Sequence, residues 1–217
     1  MMKLSLKLKK SYNNLSQIME ALETTKYNIK AQSIIESAVF NFNRNGFYGT
    51  SLEHITRSLN MTDKSIYYYF KNKEDLFIAA LHHTQESLCL AITEAKALKA
   101  NALEKIQFLA TQCASIDGLE LLGNVPHEVT KHKLYPKIEK RLKKHHQITI
   151  GFFEMGQKDK SIIKGNPVDQ WTLYTGGFLA YFNWYKFVDR SKVDYQKQID
   201  DMRFMIERAF STAYKKS

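Results

Sequence analysis

Residues 50–76 read TSLEHITRSLNMTDKSIYYYFKNKEDL, and this stretch decides the fold. Thr50 is an N-cap candidate, and Glu53 three residues later would complete a capping box. Leu52, Ile55 and Leu59 then make one apolar face. Asn60 enters the left-handed region more easily than most residues, so it suits a tight turn. Thr62 is placed to cap a second, short helix in which Ile66 and Phe70 stand four apart and point inward. Asn72 is placed to cap a third, with Glu74 and Asp75 favourably set in its first turn. A helix, a short turn and a second helix is the DNA-reading helix-turn-helix arrangement.

With the Ile66–Phe70 side buried and about 100° per residue, Lys64, Ser65 and Tyr68 point outward, flanked by Tyr67 and Tyr69. A helix surface without a partner usually carries Glu, Lys and Gln. Here it carries one Lys, one Ser and three tyrosines. Tyrosine can touch a thymine methyl or donate to a phosphate. Lysine can donate to guanine acceptors or meet a phosphate as a point charge. The competing reading is that the tyrosines pack on neighbouring helices.

Residues 34–81 resemble the DNA-binding domain of TetR/AcrR-family transcriptional regulators. The resemblance rests on IIESAVFNF (34–42), NGFYGTSLEHI (45–55) and NMTDKSIYYYFKNKEDLF (60–77). By position it implies that Thr62, Lys64, Ser65 and Tyr67 approach base edges. It likewise implies that Thr50, Ser51, Tyr68, Tyr69 and Lys73 meet phosphates. Three positions depart from the family pattern. Asn60 replaces the usual turn glycine, and Lys64 stands where many members have Gly. Asp63 stands where a basic or neutral residue is common; it is a helix-start residue stabilised by the dipole, the alternative being a cytosine reader.

Composition agrees with an all-α protein. The chain has 217 residues, 44% of them hydrophobic, with only nine Gly and three Pro. No period-2 run is long enough for a strand. The net charge of +10 favours acidic partners, nucleic acid among them. Cys89 and Cys113 form no metal motif and read as buried free thiols. No apolar run reaches the roughly 18 residues of a membrane span. Residues 1–10 lack the apolar core of a signal peptide, so a cytoplasmic protein without membrane association is expected. A Gly-rich phosphate loop, a His-Glu-x-x-His motif and a nucleophile elbow are all missing, so no catalytic residues, cofactor or enzyme activity are expected.

Along the chain, residues 1–28 form a basic extension, 29–76 the helix-turn-helix domain and 77–217 the regulatory and dimerisation domain. The extension is either a loosely ordered tail, an arm to the adjacent groove, or packing on a partner subunit. Helices are expected over 30–45 (ended by Gly46), 73–99, 102–115, 135–155 (ended by Gly156), 168–188 and 193–216. Residues 131–146, KHKLYPKIEKRLKKHH, hold seven Lys/Arg against one Glu and read as a solvated helix face, the alternatives being a site for an acidic ligand or a contact with bent DNA. Adjacent histidines at 82–83 and 145–146 point about 100° apart on a helix, so no metal site is expected.

The resemblance implies that the last two helices pair in a homodimer and that the body encloses an inducer cavity. The stretch WTLYTGGFLAYFNWYKF (171–187) is rich in the aromatics that buried interface cores favour. Gly176 and Gly177, each costing roughly 1 kcal/mol in a helix interior, suggest close helix approach or a kink. Candidate cavity liners are Phe108, Cys113, Phe152, Met155, Trp171, Tyr174 and Phe178, and their character favours an apolar or flat aromatic effector. The expected function is a homodimeric repressor released from double-stranded operator DNA by that small molecule. The alternatives are an activator, a ligand-independent regulator or a non-specific nucleoid-type protein.

Overall fold

The apolar face of residues 30–45 belongs to a longer helix, α1, Lys26–Gly49, interrupted at Gly46, whose φ of 72° breaks the helical geometry. The computed structural model describes residues 26–185 and 194–213. Most of the N-terminal extension, and the expected helix ends near residues 188, 193 and 216, lie outside the described residues. Eight further α-helices follow: α2 Leu52–Ser58, α3 Asp63–Ile66, α4 Lys73–Ala97, α5 Ala102–Ala114, α6 His127–Thr130, α7 Tyr135–Asp159, α8 Pro167–Tyr185 and α9 Tyr195–Phe210. A 3-10 turn, Leu119–Leu122, joins α5 to α6. The only extended pairing among the described residues is an isolated bridge between Ile162 and Ser211. The fold is all-α, a helix-turn-helix head followed by a helical body.

Two apolar clusters organise it, and α4 belongs to both. The head cluster centres on Phe42, Phe47 and Phe77, with Ile55 and Ile66 contributed by α2 and α3. Phe77 meets Phe42 edge-on at 4.9 Å and Phe47 at 5.3 Å, a favoured aromatic geometry. The body cluster joins Ile92 and Ala95 of α4 to Ile106, Phe153, Ile206 and Phe210. Leu121, Leu122, Val129 and Ile138 pack with the head, although they follow α5 in sequence. The segment from the 3-10 turn to the start of α7 is therefore the seam between the two parts. Gly118 opens that turn at φ 72°, where a Cβ would stand 2.5 Å from Val39, so only glycine fits.

The helix ends show how local chemistry sets the boundaries. Asn101 and Glu104 form a reciprocal capping box on α5. Asp159 and Ser161 accept from the amides of Ala102 and Leu103. The buried Lys105 donates its ammonium to the carbonyls of Ala95, Lys96 and Leu98. One long side chain thus satisfies the acceptors that α4 leaves open at its C-terminus.

Two sequence expectations are corrected here. Gly156 does not end α7, which continues to Asp159. It is buried because Ile162 packs onto it: a Cβ there would stand 2.4 Å from Ile162 Cδ1. The glycine marks a close approach, and the left-handed Lys160, φ 66°, terminates the helix instead. The N-cap of α2 is Ser51 rather than Thr50. Ser51 Oγ accepts from the His54 amide at 3.2 Å, while the Thr50 hydroxyl donates to the carbonyls of Asn41 and Gly46.

Candidate nucleic-acid interface and effector cavity

The turn between α2 and α3 forms as its residues dictate. Asn60 adopts φ 51°, and the Met61 amide returns to the Thr56 carbonyl at 2.9 Å. α3 is short; after Ile66 the chain continues as hydrogen-bonded turns, with the Tyr69 and Phe70 amides both donating to the Ile66 carbonyl. Ile66 is fully buried and Phe70 packs beside it, which turns the other side outward. Lys64 and Tyr67 are exposed, Tyr68 is 73% exposed, and Ser65 is half-buried. Tyr69 packs against the head cluster, edge-on to Tyr68 at 5.2 Å. Thr62, the N-cap of α3, is exposed and makes no side-chain cap bond.

The remaining candidates sit differently. Thr50 is 1% exposed and its hydroxyl faces inward. Ser51 holds the α2 N-terminus. Asn72 caps α4 by accepting from the Asp75 amide at 2.7 Å. Lys73 turns inward, donating to the Thr50 carbonyl at 3.0 Å with its ammonium 4.3 Å from the centre of the Phe47 ring. Partial burial lowers its pKa. Thr50 and Lys73 thus brace the head from inside, while Lys64, Tyr67 and Tyr68 form its outer surface.

Several polar ties cross the seam. Tyr48 donates to Glu128 of α6. Asp75 and His132 approach to 2.7 Å. Arg141 of α7 forms a two-pronged pair with Glu86 of α4, the planar match that guanidinium and carboxylate favour.

Beside the last of these ties, the body holds a cavity of about 230 Å³. Leu88 and Ile92 of α4 form one wall, Leu109 and Cys113 of α5 another. Leu119, Leu122 and Gly123 close it toward the seam. α7 contributes Leu142, His145, His146 and Thr149; α8 contributes Trp171, Tyr174 and Thr175. Of the sequence candidates, Cys113, Trp171 and Tyr174 come together on this cavity. Phe108 is half-buried beside the body core, and Phe152 is buried within that core. Met155 is 42% exposed on α7, and the Phe178 side chain lies outside the described residues.

The two histidines are what the sequence reading missed. Residues 131–146 read as a solvated face, and Lys140, Lys143 and Lys144 are exposed. His145, however, is 4% exposed, and His146 lies with its ring 4.7 Å from Trp171. The available signal was the four-residue spacing of Leu142, His146 and Ile150 with His145 and Thr149, a stripe low in charge within a basic helix.

The cavity is electrically quiet. No Asp, Glu, Lys or Arg lines it. Burial, reinforced by the nearby Arg141, holds His145 down at about 4, and burial lowers His146. Burial pushes the Cys113 thiol up to about 12 and raises the Tyr174 phenol. Each group is therefore neutral at pH 7. Cys89, expected to be buried, is only half-buried. Among the described residues no three His, Cys, Asp or Glu side chains group to hold a metal ion, and no helix is long and apolar enough to cross a membrane.

Comparison with known proteins agrees with this architecture. Residues 34–80 match the model for bacterial regulatory proteins of the tetR family. The transcriptional repressor NicS of Pseudomonas putida is 37% identical over 73 residues, which cover 30% of this chain and 34% of NicS; the match thus spans about a third of that relative. The ketosteroid transcriptional regulator KstR2 of Mycobacterium tuberculosis superposes with a TM-score of 0.72 at 14% identity, covering 84% of this chain and 95% of KstR2. AibR, solved in complex with isovaleryl coenzyme A and operator DNA, gives a TM-score of 0.67 at 20% identity, covering 81% and 96%. At these identities the two structures establish the shared fold. The helix-turn-helix head, residues 34–80, is thus that of bacterial regulatory proteins of the tetR family, and the helical body shares its fold with solved regulators.

Proposed function

We propose that this protein is a homodimeric transcriptional repressor that leaves its operator when a small, apolar or aromatic molecule fills the body cavity. Residues 29–76 are the DNA-binding part and 77–217 the regulatory and dimerising part. Thr62, Lys64, Ser65 and Tyr67 approach base edges. Ser51, Tyr68 and Tyr69 meet phosphates, while Thr50 and Lys73 hold the start of α2 where its backbone can do the same. The observation that carries the reading is the outward Lys64–Tyr67–Tyr68 surface on a rigid head that shares α4 with an apolar cavity. The relatives support the two activities separately: NicS is named a transcriptional repressor, and AibR, solved with isovaleryl coenzyme A and operator DNA, pairs ligand binding with DNA binding on this fold.

Dimerisation is supported by apolar side chains left in solvent on the last two helices: Val168 and Leu173 on α8, Phe204 and Met205 on α9. Among the described residues, nothing beyond their chain neighbours and their own helix backbone lies within 4 Å of where a Cβ on Gly176 or Gly177 would stand, leaving room for a partner helix. Two copies also suit the reading of DNA, because one short helix reads few bases and two half-sites supply specificity.

By linkage, an effector that releases DNA must bind the DNA-free state more tightly, and DNA must weaken effector binding by the same factor. The test is a gel shift on DNA upstream of the protein's own gene, with random competitor and a salt series, followed by selection from a random pool if that DNA is not bound. A discrete, competitor-resistant complex is expected. Diffuse, salt-labile binding to every sequence, the selected pool included, would overturn the reading in favour of non-specific coating.

A further inference from the structure

We propose that the cavity effector is an uncharged phenol or alcohol: an apolar body bearing one hydroxyl that hydrogen-bonds the imidazole of His145. This rests on the cavity being the effector site and names the class of molecule it takes.

The hydroxyls already lining the cavity are satisfied within the protein. Thr149 donates to the His145 and His146 carbonyls. Thr175 donates to the Trp171 and Thr172 carbonyls. Tyr174 reaches the Ile106 carbonyl. His145 differs from these hydroxyls: it lines the cavity, is almost fully buried, and its Nδ1 has no hydrogen-bond partner among the described residues. A buried polar nitrogen left alone is unfavourable; the residue lines the cavity, and a half-turn of the ring about its Cβ–Cγ bond is the movement that would offer this nitrogen to a ligand there. A neutral imidazole offers one donor and one acceptor, and which nitrogen carries the proton depends on its surroundings. A hydroxyl both donates and accepts, so it satisfies either tautomer.

The same wall excludes charged ligands. An ionised carboxylate would lose its hydration in a cavity with no Lys or Arg on its surface. The Arg141 guanidinium, whose charge is felt by His145, is held by Glu86 through both nitrogens. A cation would meet no carboxylate there either. Size is consistent: an apolar cavity of about 150 Å³ takes benzene, so about 230 Å³ accommodates a substituted single ring.

The test uses the full chain and three probes sharing one body: ethylbenzene, para-ethylphenol and para-ethylbenzoate, titrated by calorimetry. The phenol is expected to bind about tenfold tighter than the hydrocarbon, with the benzoate weaker than the phenol. His145→Phe should bring phenol and hydrocarbon to equal affinity. Because that variant can fail to fold, the wild-type protein labelled with ¹⁵N-histidine supplies a second measure: the His145 ring nitrogens should shift with the phenol and stay with ethylbenzene. Equal binding of hydrocarbon and phenol overturns the hydroxyl assignment and leaves the cavity reading standing. Tightest binding of the benzoate overturns the uncharged class. Binding of none of the three overturns this inference and the effector cavity together.

Discussion

Lys73, the first residue of α4, donates to the backbone carbonyl of Thr50 across 3.0 Å. The contact joins the helix that enters the body to the residue just before α2, and the ammonium also rests on the Phe47 ring. A lysine that sequence position assigns to phosphate thus has an internal role. The two roles give different results. Lys73→Met keeps the stem and removes the charge, and should cost about 1 kcal/mol of stability, a fall in Tm of roughly 2–4 °C for a chain of this size. Operator affinity should fall while the salt slope stays unchanged. A slope smaller by about one unit would restore the phosphate contact.

Lys64 and Tyr68 stand on the outer surface of the head and separate base reading from phosphate contact. Lys64→Ala is expected to weaken a selected operator far more than random DNA, by about 1–3 kcal/mol at the base it reads. Equal loss on both DNAs would make it a phosphate contact. Tyr68→Phe removes one hydroxyl and should weaken both DNAs about equally; competition binding at fixed salt measures each ratio.

Gly156 is predicted to tolerate no side chain. A Cβ would stand within 2.8 Å of three Ile162 atoms, and such overpacking costs about 1–3 kcal/mol. Thermal melts of Gly156→Ala should show the loss, and adding Ile162→Val should recover part of it because the two sites share one contact. A Gly156→Ala protein as stable as the parent would mean that the segment between α7 and α8, which carries Ile162, moves aside freely.

Acid should weaken the folded body. His145 titrates near 4 in the fold against its ordinary 6.5, so the unfolded chain binds more protons between those values. Stability therefore falls as pH drops from about 6.5 toward 4. Burial of His145 is the largest cause, and Arg141, His146 and Lys144 add to it while Glu86 opposes. His82 and His146 are shifted in the same direction. Chemical denaturation of His145→Gln across this range should show a shallower decline than the parent. Identical pH profiles would remove His145 from the account.

Leu173 is 64% exposed on α8. If that helix is part of the subunit contact, Leu173→Glu should convert a dimer into a monomer by light scattering, because a buried unpaired carboxylate is strongly unfavourable. The isolated head should keep its helical signal. A dimer of undiminished stability would place the contact elsewhere.

The sequence by itself determined the helix-turn-helix. The Asn60 turn and the four-residue spacing of Ile66 and Phe70 act over a few residues, so backbone hydrogen bonding and side-chain geometry are already specified there. The start of α4 was legible for the same reason, through Asn72. Tertiary structure decided what depends on segments far apart in the chain. Gly156 reads as a helix stop until Ile162 is seen packing on it. Thr50 and Ser51 are interchangeable caps until the Asn41 and Gly46 carbonyls claim the Thr50 hydroxyl. The cavity is the space left between α4, α5, α7 and α8 and the 3-10 turn, so its walls are set by packing and not by any one segment's pattern. His145 belongs to it because the rotation of α7 against α4 turns one side of a lysine-rich helix inward, and that rotation is fixed by contacts across the whole body.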